Sequence, residues 1–166
     1  MQLSYDEAKL IVGFILSDYE RERITTLRVL KSIPDGKGEY APDPKSMNAL
    51  KLAFHIVAAE WYFLEAIHQG APPAKPPEFP GSTCSARDIV TWEDSRVPAQ
   101  IDRVKSLSGE LLCRVIVFGE QRKLPAYSVL LLALKHSIHH RGQLSAYLRP
   151  MGAAVPSIYG ASADTK

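Results

Sequence analysis

The sequence predicts an all-α protein, a four-helix bundle with a long central crossover connection. Three observations carry this reading. Four long segments repeat apolar residues at three- and four-residue spacing, the period of a helix buried on one side. Proline- and glycine-rich stretches separate them. Neither half alone presents a closed core, so the 166 residues read as one domain, 1–166. The alternative is a half-bundle that completes its core only as a dimer.

The first helix is expected over about residues 5–31, where Ser4 and Glu7 match the S-x-x-E pattern of a capping box. The stretch SIPDGKGEYAPDP ends it. The second is expected over about residues 44–69, with Asp43 as its cap and Pro44 at the first helical position. Its residues Met47, Leu50, Phe54, Val57, Trp61 and Leu64 line one stripe.

Next comes GAPPAKPPEFPGSTCS, with five prolines between Pro72 and Pro80. It reads as an extended connection. It is long enough to cross the end of a bundle and start a helix that is not the nearest neighbour.

The third helix is expected over about residues 85–106, opened by S-x-x-D at Ser85 and Asp88. Pro98 lies inside it and predicts a kink or a short break. The β-branched run CRVIVF then suggests a short extended piece ending at Gly119. The fourth helix is expected over about residues 125–149, stopped by Pro150 and Gly152. In the tail, Val155, Ile158 and Tyr159 are expected to pack back on the bundle.

Composition narrows the function classes. An apolar fraction of 46% and a charged fraction of 23% are ordinary for a globular protein. A formal charge of +2, with lysines and arginines dispersed, argues against nucleic acid. No apolar run approaches the ~18 residues of a membrane span, and no signal peptide is apparent. Cys84 and Cys113 form no C-x-x-C pair. They read as inert thiols in a reducing cytoplasm.

The chemistry concentrates in the histidines. His136 and His140 are four residues apart, so both imidazoles leave one helix face. They fall in the series Val129, Leu132, Ala133, His136, His140, Leu144 and Tyr147, which places them on the core-facing stripe. An unpaired polar group in an apolar core costs at least ~1–3 kcal/mol, so two neighbours need a shared reason. A metal ion is one such reason; hydrogen bonds to carboxylates or backbone are another.

His55 in the second helix is the third candidate. Its flank carries Ala58, Ala59 and Tyr62, and the small residues leave space beside it. If the second and fourth helices are neighbours, His55 reaches the pair. Three imidazoles with remaining positions open is the pattern of a catalytic zinc site. Nickel, iron or manganese suit the same ligand set. His139 points elsewhere. His68, in the last turn of its helix, complements the helix dipole.

These residues carry a resemblance. HSIHHRGQLSAYLRPMGAAVPSIYG resembles the C-terminal signature of the DinB superfamily, which includes YfiT-like proteins. HIVAAEWYFLEAI is similar to that family's second-helix histidine motif. The likeness runs over nearly the whole chain. It implies a four-helix bundle with an unusual connection between halves. It also implies a divalent metal, often nickel or zinc, on His55, His136 and His140, and a homodimer. His139 is not carried over.

Function within the family is less uniform. Related members resemble thiol-dependent transferases and isomerases using bacillithiol or mycothiol. Others look like metal-dependent hydrolases or stress-induced proteins.

Two readings follow. In the first, the metal lowers the pKa of a bound water or low-molecular-weight thiol in an enzyme. Candidate outer groups are Glu60, Arg141 and Gln143. Arg141 would bind an anionic substrate group or pair with an acid such as Glu60. Tyr62 would donate a proton or simply pack. In the second, a non-enzymatic stress protein uses the metal to tie two helices together. A homodimer is expected from Leu10, Ile11, Phe14 and Ile15, which are too many for one narrow stripe. The alternative is that the crossover and tail cover them.

Overall fold

The computed structural model describes residues 3–81, 83–120 and 122–165. Helix α1 (Tyr5–Lys31) begins at the expected capping box: Ser4 Oγ accepts from the Glu7 amide, and Glu7 returns the bond to the Ser4 amide.

Helix α2 (Ala49–Gln69) starts five residues later than the sequence suggested. Asp43 accepts instead from the Lys45 amide, which curls residues 43–46 into a turn. The cap is Asn48, whose side chain accepts from the Lys51 amide at 2.8 Å and donates to Glu39 Oε2 at 2.6 Å. The preceding loop satisfies two more orphan donors: the Ala49 amide bonds Tyr40 O, and the Leu50 amide bonds Gly38 O. Gly38 is required there, since a Cβ would lie 2.3 Å from Leu50 Cδ1. Met47 falls before the helix and is exposed, so the buried stripe is Leu50, Phe54, Val57 and Leu64, with Trp61 at its edge. Gly70 closes α2 in the left-handed conformation, with φ 83°.

The third segment is two helices, α3 (Ala86–Asp94) and α4 (Val97–Lys105). Pro98 has no amide to return to Asp94 O, so the chain breaks and restarts with the proline in the first turn of α4. Helix α5 (Gly109–Cys113) follows. The expected extended piece is β1 (Val115–Phe118), turned at Gly119. It pairs antiparallel with β2 (Arg122–Pro125), with Val115 opposite Pro125 and Phe118 opposite Arg122. The sequence reading missed β2, because RKLP has no strand-like alternation. Helix α6 (Ala126–Leu148) completes the fold.

Helix α6 packs against α1 and α2, and the broken α3–α4 rod packs against the same two helices. Helices α1 and α2 therefore stand at opposite corners. The proline-rich crossover was expected to reach a distant helix, yet α2 packs directly on α3 and α4. The diagonal step is made by the earlier loop, residues 32–48. Among the described residues, no helix is long and apolar enough to cross a membrane.

The core has two apolar halves. One contains Leu16, Tyr19, Leu64, Ile101 and Leu130; the other contains Leu30, Ile56, Ile89, Leu144 and Leu148. Between them lies a belt of buried polar groups, one or two from each rod: Thr26, Glu60, Glu93, Ser137 and Arg141. Ion pairs and hydrogen bonds connect the belt. Arg23 grips Glu93 with two guanidinium nitrogens and reaches Asp94 Oδ1 at 2.6 Å. Ser137 Oγ donates to Glu60 Oε1 at 2.7 Å. Burial pushes the Glu60 carboxyl up to about 8, helped by nearby Glu93 and opposed by Ser137, Arg23 and Arg141.

Val155 and Ile158 pack on the lower half as expected. The Tyr159 ring stays 71% exposed. Its hydroxyl is what attaches it, accepting from Arg141 at 2.7 Å and donating to Glu22 Oε2 at 3.0 Å.

Candidate metal centre

The adjacency of α2 and α6 brings His55 to His136 and His140. His55 Nε2 lies 3.1 Å from His136 Nε2 and 3.3 Å from His140 Nε2. One donor atom from each ring falls within 4.8 Å of the other two. Three ring nitrogens at such range conflict unless something positive lies among them. One Nε2–H on His55 can satisfy only one of its two neighbours. A cation accepts all three lone pairs, so the donor set fits a metal ion.

Two contacts orient the rings. His140 Nδ1 lies 2.6 Å from Gln143 Oε1. The oxygen only accepts, so the proton is on Nδ1 and Nε2 keeps its lone pair. His136 Nδ1 is buried without a partner among the described residues. Its ring is held instead by Phe63, edge-on with centroids 5.7 Å apart. Burial pushes His136 down to about 4, with further lowering from His140, His55 and His139. Burial lowers His55 as well, followed by His140. In both rings burial favours the neutral form, the one that ligates a metal.

The histidines are not on the core stripe, as the sequence reading had placed them. All three are half-buried. At their level the core-facing positions of α6 are Ser137 and Arg141, one residue further round the helix. On that side His55 and His136 border a cavity. Exposed His139 stacks edge-on against His140 at 4.9 Å but lies outside the cluster.

Of the three outer candidates, Gln143 touches a histidine. Glu60 faces Ser137 inside the belt. Arg141, only 1% exposed, turns to α1 and pairs with Glu22 rather than with Glu60. It also donates to Glu22 O at 3.2 Å. The sequence reading missed Glu22, Thr26 and Ser137. Their only signal is the spacing of Ser137 and Arg141, which repeats the histidine spacing one residue on.

The cavity beside His55 and His136 has a volume of about 510 Å³. The α2 residues Phe54, Ala58, Ala59, Tyr62 and Phe63 form its floor, and Pro76, Pro77 and Phe79 of the crossover form a wall. Tyr62 both lines it and packs edge-on against Phe63.

The model of the DinB family matches residues 8–165. The chain belongs to the DinB family. Its relatives include YjoA of Bacillus subtilis, 29% identical over 143 residues, covering 83% of this chain and 89% of that protein. YrdA of the same organism is 28% identical over 150 residues, covering 87% and 86%. A crystal structure of the DinB-like YjoA superposes with a TM-score of 0.70 at 25% identity, covering 89% of this chain and 99% of that one. A DinB-like protein from Bacillus cereus superposes with a TM-score of 0.74 at 24% identity, covering 87% and 95%, a likeness of fold.

Proposed function

We propose that this DinB-family protein is a metal-dependent enzyme of thiol-transferase or hydrolase type. His55, His136 and His140 would ligate a divalent ion, zinc or nickel foremost, with iron or manganese also suited to the set. The observation that carries this reading is the convergence of three Nε2 atoms, from two helices, at the side of an open apolar cavity. Three protein donors leave a coordination position free, and the cavity is where it would open.

When bound, such an ion supplies Lewis acidity that lowers the pKa of a thiol or water. The chain does the rest. Gln143 holds His140 in the ligating tautomer, Phe63 fixes the His136 ring, and the apolar walls lower the polarity on the cavity side. A low-molecular-weight thiol is the proposed cosubstrate. Free Cys84 and Cys113 accord with a cytoplasmic setting.

The structural-metal reading is weaker, because α2 and α6 already share apolar packing through Val57, Leu64, Leu130 and Leu144. We also propose a homodimer formed through α1. Its Leu10 is 77% and Phe14 75% exposed, while Ile15 is buried. Neither the crossover nor the tail covers the two exposed residues.

Cobalt substitution tests the open position. The cobalt-loaded protein should absorb in the visible, and the absorption should change when a small thiol is added. Cobalt absorption that no thiol or other small ligand perturbs would mean a closed, structural site.

A further inference from the structure

We propose that the cavity selects an aromatic anion: a molecule with a flat apolar body of about two rings and one negative group. This rests on the reading of the three histidines as the reacting centre and names the substrate class for it.

The body follows from the lining. Phe54, Tyr62, Phe63 and Phe79 present aromatic rings to one space. Such rings favour offset and edge-on partners of their own kind. Pro76 and Pro77 make the opposing wall stiff. Ala58 and Ala59 keep the floor low where a larger side chain would fill it. A cavity of ~150 Å³ holds a benzene molecule; about 510 Å³ therefore has room for two linked or fused rings.

The charge follows from Lys51. Among the described residues lining the cavity, it is the one with a formal charge, and no carboxylate accompanies it. The lining therefore offers a negative group a cationic partner at the Lys51 end, and a divalent ion on the histidines would add positive charge beside it.

The arrangement also orders the occupant. Lys51, His55, Ala58 and Tyr62 follow one another at three- and four-residue steps along one face of α2, with Ala59 four residues on from His55. Lys51 and His55 are four residues apart, about 6 Å along the helix axis, so an anion held at Lys51 lies about one turn from the histidines. The aromatic body then extends over the two alanines toward Tyr62. The bond presented to the histidines lies between the negative group and the rings.

Two fluorescent probes with the same aromatic body separate these claims: anilinonaphthalene sulfonate and the uncharged N-phenylnaphthylamine. Both should bind the purified protein saturably, the sulfonate about fivefold tighter. Lys51→Met should remove that preference while leaving the uncharged probe unaffected. Ala59→Trp, with Ala59→Leu as the smaller filling, should weaken both probes at least tenfold while metal content and circular dichroism stay unchanged. Absence of saturable binding, or filled variants that bind both probes normally, would overturn the aromatic pocket. Equal affinity of the two probes would overturn the anionic component. Metal content is read on the same samples, so failure of the pocket and failure of the metal centre appear separately.

Discussion

His140 and Gln143 stand one helical turn apart on α6, and the ring Nδ1 meets the amide oxygen at 2.6 Å. The pair links the candidate metal centre to the surface of its own helix. An outer hydrogen bond of this kind typically changes metal affinity 10- to 100-fold. Gln143→Leu should weaken zinc or nickel binding by roughly that factor, with little change in melting temperature. Gln143→Glu retains an acceptor and should preserve affinity. Calorimetric titration of both variants checks this; equal loss in both would show that the acceptor is not what matters.

Glu60 makes stability depend on pH. Its folded carboxyl is pushed from 4.5 to about 8 by burial first and Glu93 second. The folded state holds a proton that the unfolded state releases above about 4.5. Stability from this group is therefore complete below pH 4.5 and is lost as pH rises through about 8. Glu60→Gln keeps an acceptor for Ser137 and should flatten the decline between pH 5 and pH 8. Urea midpoints of parent and variant across that range measure it. Parallel slopes would mean that Glu60 is ionised throughout.

Arg141 ties three parts of the chain together: Glu22 of α1, Tyr159 of the tail, and its own helix. Side-chain exposures of 2% for Arg141 and 12% for Glu22 make this a nearly dry pair. Removing one partner of such a pair costs about 3–5 kcal/mol, because the other charge stays buried. Arg141→Met should lower stability by that order. Adding Glu22→Gln should restore a substantial part of it. A double-mutant cycle by denaturant unfolding reads the coupling; strictly additive losses would contradict the assignment.

The apolar face of α1 makes the oligomer testable. Phe14→Glu places a charge on a residue that is 75% exposed, so it should leave the fold intact. It should convert a dimer into a monomer in sedimentation. A parent protein that already sediments as a monomer at micromolar concentration would contradict the proposed dimer.

Much of this fold was legible because its local signals are strong. The capping boxes at Ser4 and Ser85 start helices where expected, and Pro98 breaks the third segment for want of an amide. Asp43 and Pro44 misled because their signals serve a turn, whereas the real cap, Asn48, depends on Glu39 nine residues earlier. The histidine trio was legible from the i, i+4 spacing and the small residues beside His55. Its phase was misjudged by one residue, because an arginine was not expected on the buried stripe. Arg141 is buried there with Glu22, which lies 119 positions away in the chain. The polar belt had no contiguous signal at all, since each rod contributes only one or two of its groups.

The most direct test of the central claim is elemental analysis of protein purified without a histidine tag, parent beside His136→Ala. The parent should hold about one equivalent of a divalent metal, and the variant should lose it. A parent that holds no metal, even after incubation with zinc or nickel, would contradict it. The three histidines would then be hydrogen-bonding partners at the edge of an apolar cavity.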